Sequence, residues 1–143
     1  MGKSLWIHEH LRDAPLIDLS RRWPEPGTPE FGKTIEHVVL GELLAYRAYR
    51  SPDTEVWYWR TSTGLEVDFL VNDRAAAIEV KAASRVHPTD LKALTALAEE
   101  GTVGRIVVCT ESAPRVLTDA NGRIDVLPVS DFVDQLWRGD IFS

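Results

Sequence analysis

The segment AAAIEVKAA, residues 75–83, decides how this sequence is interpreted. A short buried strand is predicted over its residues 76–82, AAIEVKA, yet Glu79 and Lys81 interrupt the apolar run. Because strand side chains alternate between two faces, Glu79 and Lys81 point to the same side. One interpretation is a surface ion pair on a half-exposed strand. The other is half of a metal site, which requires carboxylates from elsewhere in the chain.

The preceding segment, LEVDFLV (residues 65–71), offers a second carboxylate. Strict alternation predicts two faces, with Leu65, Val67, Phe69 and Val71 on one and Glu66, Asp68 and Leu70 on the other. The residues NDRA between the two segments are typical of a hairpin connection. If the strands pair with their apolar faces on the core, Asp68 and Glu79 lie on the same side of the sheet.

A third carboxylate comes from a helix predicted over residues 33–50, KTIEHVVLGELLAYRAYR. Its apolar arc contains Ile35, Val39, Leu40, Leu43, Leu44 and Tyr46. Glu36 falls near the middle of that arc, where amphipathic helices rarely place a carboxylate without a partner. The partner is either a cation, Arg47 or Lys81, or a metal ion shared with the strand carboxylates.

Three converging carboxylates would repel one another, and a hard divalent cation would cancel that charge. We therefore predict a site in which Asp68, Glu79 and Glu36 bind Mg²⁺, with Mn²⁺ as a substitute. Lys81 would orient the attacking water or stabilise a charged transition state. Tyr58 and Arg60, on one face of the segment EVWYWR (residues 55–60), are candidate contacts to a substrate backbone.

The remaining segments predict one α/β domain over residues 31–143, preceded by an irregular extension over residues 1–30. A helix is expected over residues 87–101, capped at Thr89 and ended by Gly101. A buried strand (105–110), an edge strand (123–129) and a short helix (130–140) follow. The order α-β-β-β-α-β, with a C-terminal strand and helix, predicts a mixed sheet flanked by helices.

Bulk properties limit the possible functions. No apolar run approaches the roughly 20 residues of a membrane span, and the single cysteine, Cys109, lies in an apolar run and predicts a buried packing role. These features favour a cytoplasmic protein with no membrane partner. The formal net charge of −6 argues against nucleic-acid binding through bulk charge, so any such binding must depend on a local site.

The order of Glu36, LEVDFLV and IEVKA resembles the PD-(D/E)xK nuclease superfamily. More narrowly, residues 31–141 are similar to a domain of unknown function that ends a prokaryotic family of AAA-type ATPases. The matching blocks are FGKTIEHVVLGELLAYRAY, VWYWRTSTGLEVDFLV, AIEVKAASRVHPTDLKAL and LPVSDFVDQLWRGDI. The ATPase module that usually precedes this domain is missing, so a stand-alone version or a fragment is expected.

The resemblance implies a restriction-endonuclease-like core and Mg²⁺-dependent phosphodiester hydrolysis in nucleic acid, with DNA as the expected substrate. It implies Asp68 and Glu79 as metal ligands, Lys81 as the catalytic lysine and Glu36 as an auxiliary acid. An AAA-type ATPase is an expected partner. The alternative is a non-catalytic module that uses the same fold to bind a protein or nucleic acid.

Two further patterns carry competing hypotheses. GTPEFGKT, residues 27–34, matches the spacing of a phosphate-binding loop, but SRRWPEP precedes it where that motif requires a buried strand. His8 and His10 could be metal ligands, although surface histidines near a terminus are the simpler interpretation.

Overall fold

The structure, a computed structural model, describes residues 2–4 and 24–142. The described helices are α1 (Pro29–Tyr49), α2 (Lys92–Glu99) and α3 (Val129–Arg138). The described strands are β1 (Gly2–Ser4), β2 (Val56–Arg60), β3 (Glu66–Val71), β4 (Ala76–Lys81), β5 (Arg105–Cys109), β6 (Arg115–Asp119) and β7 (Gly122–Pro128). A 3₁₀ turn, Pro88–Asp90, precedes α2.

The strands form one mixed sheet in the order β1-β2-β3-β4-β5-β7-β6. Strands β1 to β4 are an antiparallel meander, whereas β4, β5 and β7 run parallel. Helix α2 lies in the connection from β4 to β5, as a parallel pair requires. The mixed α/β class and the central element order predicted from the sequence are confirmed.

Helices cover both faces of the sheet, and each face has its own core. Helices α1 and α3 pack on one face, whose core includes Val39, Leu43, Phe69, Ile78, Phe132 and Leu136. Helix α2 packs on the other face, whose core includes Trp59, Val67, Leu70, Leu94, Leu97 and Val107. The predicted arc of α1 is buried as expected, and Cys109 is fully buried.

Helix α1 begins at Pro29, four residues before the predicted start. Thr28 is the N-cap, and its side chain accepts a hydrogen bond from the backbone N–H of Phe31 at 3.3 Å. Pro29 then occupies the first helical turn, where its missing N–H costs nothing. Gly32, Lys33 and Thr34 consequently lie inside the helix and not in a loop, so the resemblance to a phosphate-binding loop is a coincidence of spacing.

The C-terminal half contains a strand that the sequence interpretation missed. Strand β7 is not at the edge of the sheet, because it lies between β5 and β6. Strand β6 takes the edge, and it pairs with β7 as a tight hairpin closed by Ala120 and Asn121. Pro128 is the last residue of β7, where a missing N–H is tolerated.

Three smaller expectations also need correction or lie outside the described residues. Thr89 belongs to the 3₁₀ turn and does not cap α2, whose N-cap is Leu91. Part of the extension expected to be irregular is strand β1, which pairs with β2. His8 and His10 lie outside the described residues. Within residues 24–142, no helix has the length and apolar character to cross a bilayer.

Candidate functional site

The hairpin of β3 and β4 is closed tightly at one end. A four-residue loop, 72–75, makes the connection: Asn72 and Asp73 have positive φ angles of 47° and 61°, a backbone that Asn and Asp tolerate, and the N–H of Ala75 donates a hydrogen bond to the carbonyl of Asn72 at 3.2 Å. Antiparallel pairing then runs through Val71↔Ala76, Leu70↔Ala77 and Phe69↔Ile78. It stops there, although β3 extends back to Glu66 and β4 extends on to Lys81.

Each strand keeps its other neighbour beyond that point. Glu66 of β3 still pairs with β2, and Lys81 of β4 still pairs with β5. The two strands of the hairpin therefore part while the sheet on either side continues. Continuing the register by one residue puts Asp68 opposite Glu79, at the start of the gap.

A β-bulge lies at the same place. Strand β2 pairs Trp57 with Leu70 and then Trp59 with Val67, so two residues of β3, Asp68 and Phe69, oppose one residue of β2. The bulge breaks the predicted alternation, because Val67 packs with the α2 core and Phe69 packs with the α1 core. Bulges re-aim side chains next to functional sites, and here the bulge contains Asp68.

Asp68 replaces a backbone ladder bond with a side-chain bond. Its Oδ2 accepts a hydrogen bond from the backbone N–H of Val80 at 2.7 Å. Burial raises the pKa of Asp68 to about 7 against the effect of that bond. The negative charges of Glu36 and Glu66 raise the pKa further, and Lys81 lowers it. The side chain is half-buried, so it remains accessible from the gap.

Glu79 is the most deeply buried acid of the group, with 6% of its surface exposed. Its Oε1 lies 3.1 Å from the Nζ of Lys81, whose side chain is 36% exposed. Its Oε2 is buried and has no hydrogen-bond partner within the described part of the chain. Burial raises the pKa of Glu79 to about 7, and the charge of Asp68 adds to that shift.

Glu36 reaches the same electrostatic environment from α1. The first turns of this helix lie over the end of β4, because a Cβ added at Gly32 would be 4.0 Å from the Cβ of Ala82. Burial raises the pKa of Glu36, Lys33 lowers it, and Glu66 and Glu79 raise it. The carboxylates of Glu36, Asp68 and Glu79 therefore sense one another's charge.

The three acids do not form a ready-made cage. Among residues 2–4 and 24–142, no group of three or more His, Cys, Asp or Glu side chains is arranged to hold a metal ion. Asp68 and Glu79 are the adjacent pair, and Glu36 interacts with them through its charge. The assignment of Glu36 as a third ligand stays a prediction.

Glu66 is a fourth acid, and the sequence interpretation gave it no role. Its charge raises the pKa of Glu36, Asp68 and Glu79. The available signal was its position two residues before Asp68 in LEVDFLV. Glu66 lies directly opposite Arg60 in the pairing of β3 with β2, and the two side chains form an ion pair.

The two predicted substrate contacts lie on β2, next to the gap. Tyr58 opposes the bulge and is half-buried against the α1 core. Arg60 is exposed at the end of β2. Trp59, between them, packs in the opposite core and is only 3% exposed. The substrate-binding roles of Tyr58 and Arg60 stay predictions.

The carboxylate oxygens around the gap are ligands of the type that binds a hard divalent cation. A buried carboxylate oxygen that accepts no hydrogen bond and lies opposite a second carboxylate lowers the stability of the fold, unless a proton or a cation neutralises the pair. Asp68 Oδ2 and Glu79 Oε2 are oxygen donors of the kind that Mg²⁺ prefers. Such a cation would give Glu79 Oε2 the partner that residues 24–142 do not provide.

Comparison with known families matches residues 31–132 to a family described as "Domain of unknown function (DUF4143)". The match covers most of the chain and includes all four acids of the gap, so the chain belongs to this family. No curated protein matches the chain, and no solved structure matches it.

Proposed function

We propose that this member of the DUF4143 family is a Mg²⁺-dependent nuclease domain of the PD-(D/E)xK type that hydrolyses phosphodiester bonds in DNA. The observation that carries the proposal is the buried oxygen of Glu79, which has no partner among the described residues and lies where β3 and β4 part. Continuing the register of the hairpin puts Asp68 opposite Glu79, and Lys81 is two residues further along β4.

Asp68 and Glu79 would hold the metal. Mg²⁺ bound there would polarise a phosphoryl oxygen and lower the pKa of a coordinated water. Burial is the main cause of their raised pKa values, and Lys81 offsets it only in part, so a bound cation would stabilise the ionised carboxylates. Glu36 adds negative charge beside the pair and would bind a water of the metal shell more readily than the metal itself.

Lys81 would act on the reacting water and phosphate. Its Nζ is 3.1 Å from Glu79 Oε1, and its side chain is partly exposed. The ammonium group is therefore held beside the metal ligands and still faces solvent, where a phosphate can approach. There it can orient a water molecule by hydrogen bonding and stabilise the negative charge that develops on the phosphate.

The charge balance of the gap favours an anionic substrate only when a cation is bound. Above the pKa of about 7 of Asp68 and Glu79, four ionised carboxylates outnumber three cations, Lys33, Arg60 and Lys81, so the metal-free gap is negative. A divalent ion reverses that sign. This local reversal answers the objection from the net charge of −6, because phosphate binding depends on nearby charges.

The topology also supports the PD-(D/E)xK assignment. An acid-bearing helix is followed by a three-stranded meander, a crossover helix and a parallel strand. Asp68 and the E-x-K pair lie on the second and third strands of that meander. An AAA-type ATPase is the candidate partner, on the strength of the sequence resemblance.

The proposal is tested by cleavage of labelled single- and double-stranded DNA in Mg²⁺ or Mn²⁺, with and without a chelator. Lys81→Ala should abolish metal-dependent cleavage, and Asp68→Asn should abolish both cleavage and metal binding in calorimetry. Asp125→Asn is the matched control, because this carboxylate lies on β7 and pairs with an exposed Arg123. Equal cleavage by the wild type and Lys81→Ala would identify a contaminant.

The second candidate is a non-catalytic binding module on the same fold. The observation in its favour is that no three acids within residues 24–142 are arranged around one cation site. A melting temperature that does not respond to millimolar Mg²⁺ or Mn²⁺ would support this candidate. A rise that disappears in Asp68→Asn would support the nuclease.

A further inference from the structure

Glu66 and Arg60 form an ion pair at the mouth of the gap. They are cross-strand neighbours on β2 and β3, and Glu66 lies three residues along β3 from Phe69, the last residue of β3 that pairs with β4. Both side chains are at least half exposed, at 50% for Glu66 and 60% for Arg60. Glu66 is the one acid of the four that is not buried, yet its charge reaches the other three.

We infer that Glu66 is an electrostatic gate on Arg60. Glu66 keeps Arg60 in an ion pair until a substrate phosphate replaces it as the partner of Arg60, and this competition weakens the binding of nucleic acid to the site. The inference rests on the proposed function, and it assigns to Glu66 a role in substrate binding that is separate from metal binding. Glu66 is thus a residue that sets affinity, and it makes no contact with the reacting atoms.

The displacement is physically reasonable because an exposed ion pair is weak. Solvent screens the attraction, and ordering two long side chains opposes it. The guanidinium group of Arg60 matches the geometry of a phosphate at least as well as that of a carboxylate. A phosphodiester at the gap can therefore replace Glu66 as the partner of Arg60, and Glu66 then turns to solvent.

Glu66 opposes binding in two ways. It competes for Arg60, and its charge repels a phosphate that approaches Asp68 and Glu79. The first effect acts only through Arg60, whereas the second is independent of Arg60. Removing Arg60 therefore separates the gate from simple repulsion.

The test is a double-mutant cycle on binding of a short labelled DNA duplex, with Ca²⁺ in place of Mg²⁺ to prevent cleavage. Glu66→Gln should tighten binding roughly three- to tenfold at moderate ionic strength. It should also steepen the salt dependence by about one phosphate contact, because Arg60 becomes free to bind. Arg60→Ala should weaken binding, and in the Arg60→Ala background the gain from Glu66→Gln should shrink to the part that comes from repulsion alone.

Glu100→Gln is the matched control, because it removes one exposed negative charge near the closed end of the hairpin, where Arg74 contacts Gly101. It should leave binding unchanged. No gain from Glu66→Gln, or an equal gain with and without Arg60, would overturn the gate while leaving the nuclease proposal intact. No metal-dependent DNA binding by any variant would overturn both.

Discussion

Glu79 and Glu111 are both buried carboxylates, 6% and 8% exposed, but they differ in their hydrogen bonds and their pKa values shift in opposite directions. Glu111, just beyond β5, accepts hydrogen bonds from Arg115 at 2.7 and 2.8 Å and from the backbone N–H of Val86 at 2.7 Å. The hydrogen bonds from Arg115 lower the pKa of Glu111 to about 2, against the effect of burial.

Glu79 receives far less compensation. One of its oxygens pairs with Lys81, the other has no partner within residues 24–142, and its pKa is raised to about 7. Glu111 joins the loop after β4 to the connection between β5 and β6, and it acts in stability. Glu79 costs stability when it is ionised, and a buried, poorly compensated carboxylate at the point where two strands part is the feature on which the proposed metal site rests.

The largest expected change in stability comes from breaking the buried ion pair between Glu111 and Arg115. Arg115→Ala should lower the free energy of unfolding by roughly 2–3 kcal/mol, because Glu111 would stay buried with its Val86 bond alone. Urea denaturation at neutral pH measures this. Arg123→Ala, which breaks the exposed pair with Asp125, should change stability little. An equal loss in both variants would show that burial does not distinguish the two pairs.

The pH dependence of stability should separate the two kinds of acid. The folded protein binds protons at Asp68 and Glu79 more tightly than the unfolded chain, so stability should fall as pH rises from about 4 to about 7. We expect the free energy of unfolding to be roughly 1–2 kcal/mol lower at about pH 8 than at about pH 6.

At acid pH the dependence has the opposite sign, and stability falls as the pH is lowered. Hydrogen bonds from Arg115 lower the pKa of Glu111 to about 2, and hydrogen bonds from Arg105 lower that of Asp119 to about 2. Their stabilisation is therefore present above about pH 4 and is lost as pH falls towards 2. The double variant Asp68→Asn/Glu79→Gln should lose most of the change between about pH 6 and pH 8 and keep the acid limb. A metal-free wild-type protein with a flat profile above pH 6 would contradict the comparison.

A smaller gain in stability is expected from neutralising Glu79 alone. Glu79→Gln should raise the free energy of unfolding by about 1 kcal/mol at about pH 8, because a buried charge is removed and only a partly exposed pair with Lys81 is lost. Glu111→Gln should have the opposite sign. Thermal denaturation without metal measures both, and a loss of stability in both would place Glu79 in the same class as Glu111.

The smallest effect should be stabilisation by metal. If Mg²⁺ neutralises the buried carboxylate of Glu79 as Arg115 neutralises that of Glu111, saturating Mg²⁺ should raise the melting temperature by a few degrees at about pH 8. The rise should shrink at about pH 6, because protons compete for Asp68 and Glu79. Calorimetric scans at both pH values measure this, and a larger rise at the lower pH would exclude these two acids as the ligands.

The local elements follow from short-range patterns. Period-two alternation and turn residues identify β2, β3 and β4 to within a residue at each end, and the helical arc of α1 is buried as expected. Strand β6 was missed because its residues RVLTD alternate without a buried face, although Asn121 and Gly122 carried a hairpin signal. The start of α1 was missed because Thr28 and Pro29 were assigned to a connector.

The candidate site follows partly from local sequence patterns and partly from tertiary packing. The sequence by itself determined that Asp68, Glu79, Lys81 and Glu36 belong to neighbouring elements, because strand order and helical phase are local properties of the chain. Only the tertiary structure decided that β3 parts from β4 at a bulge containing Asp68, that one oxygen of Glu79 has no partner among residues 24–142, and that Glu66 pairs with Arg60. These features depend on register between strands and on burial, which result from how distant segments pack together.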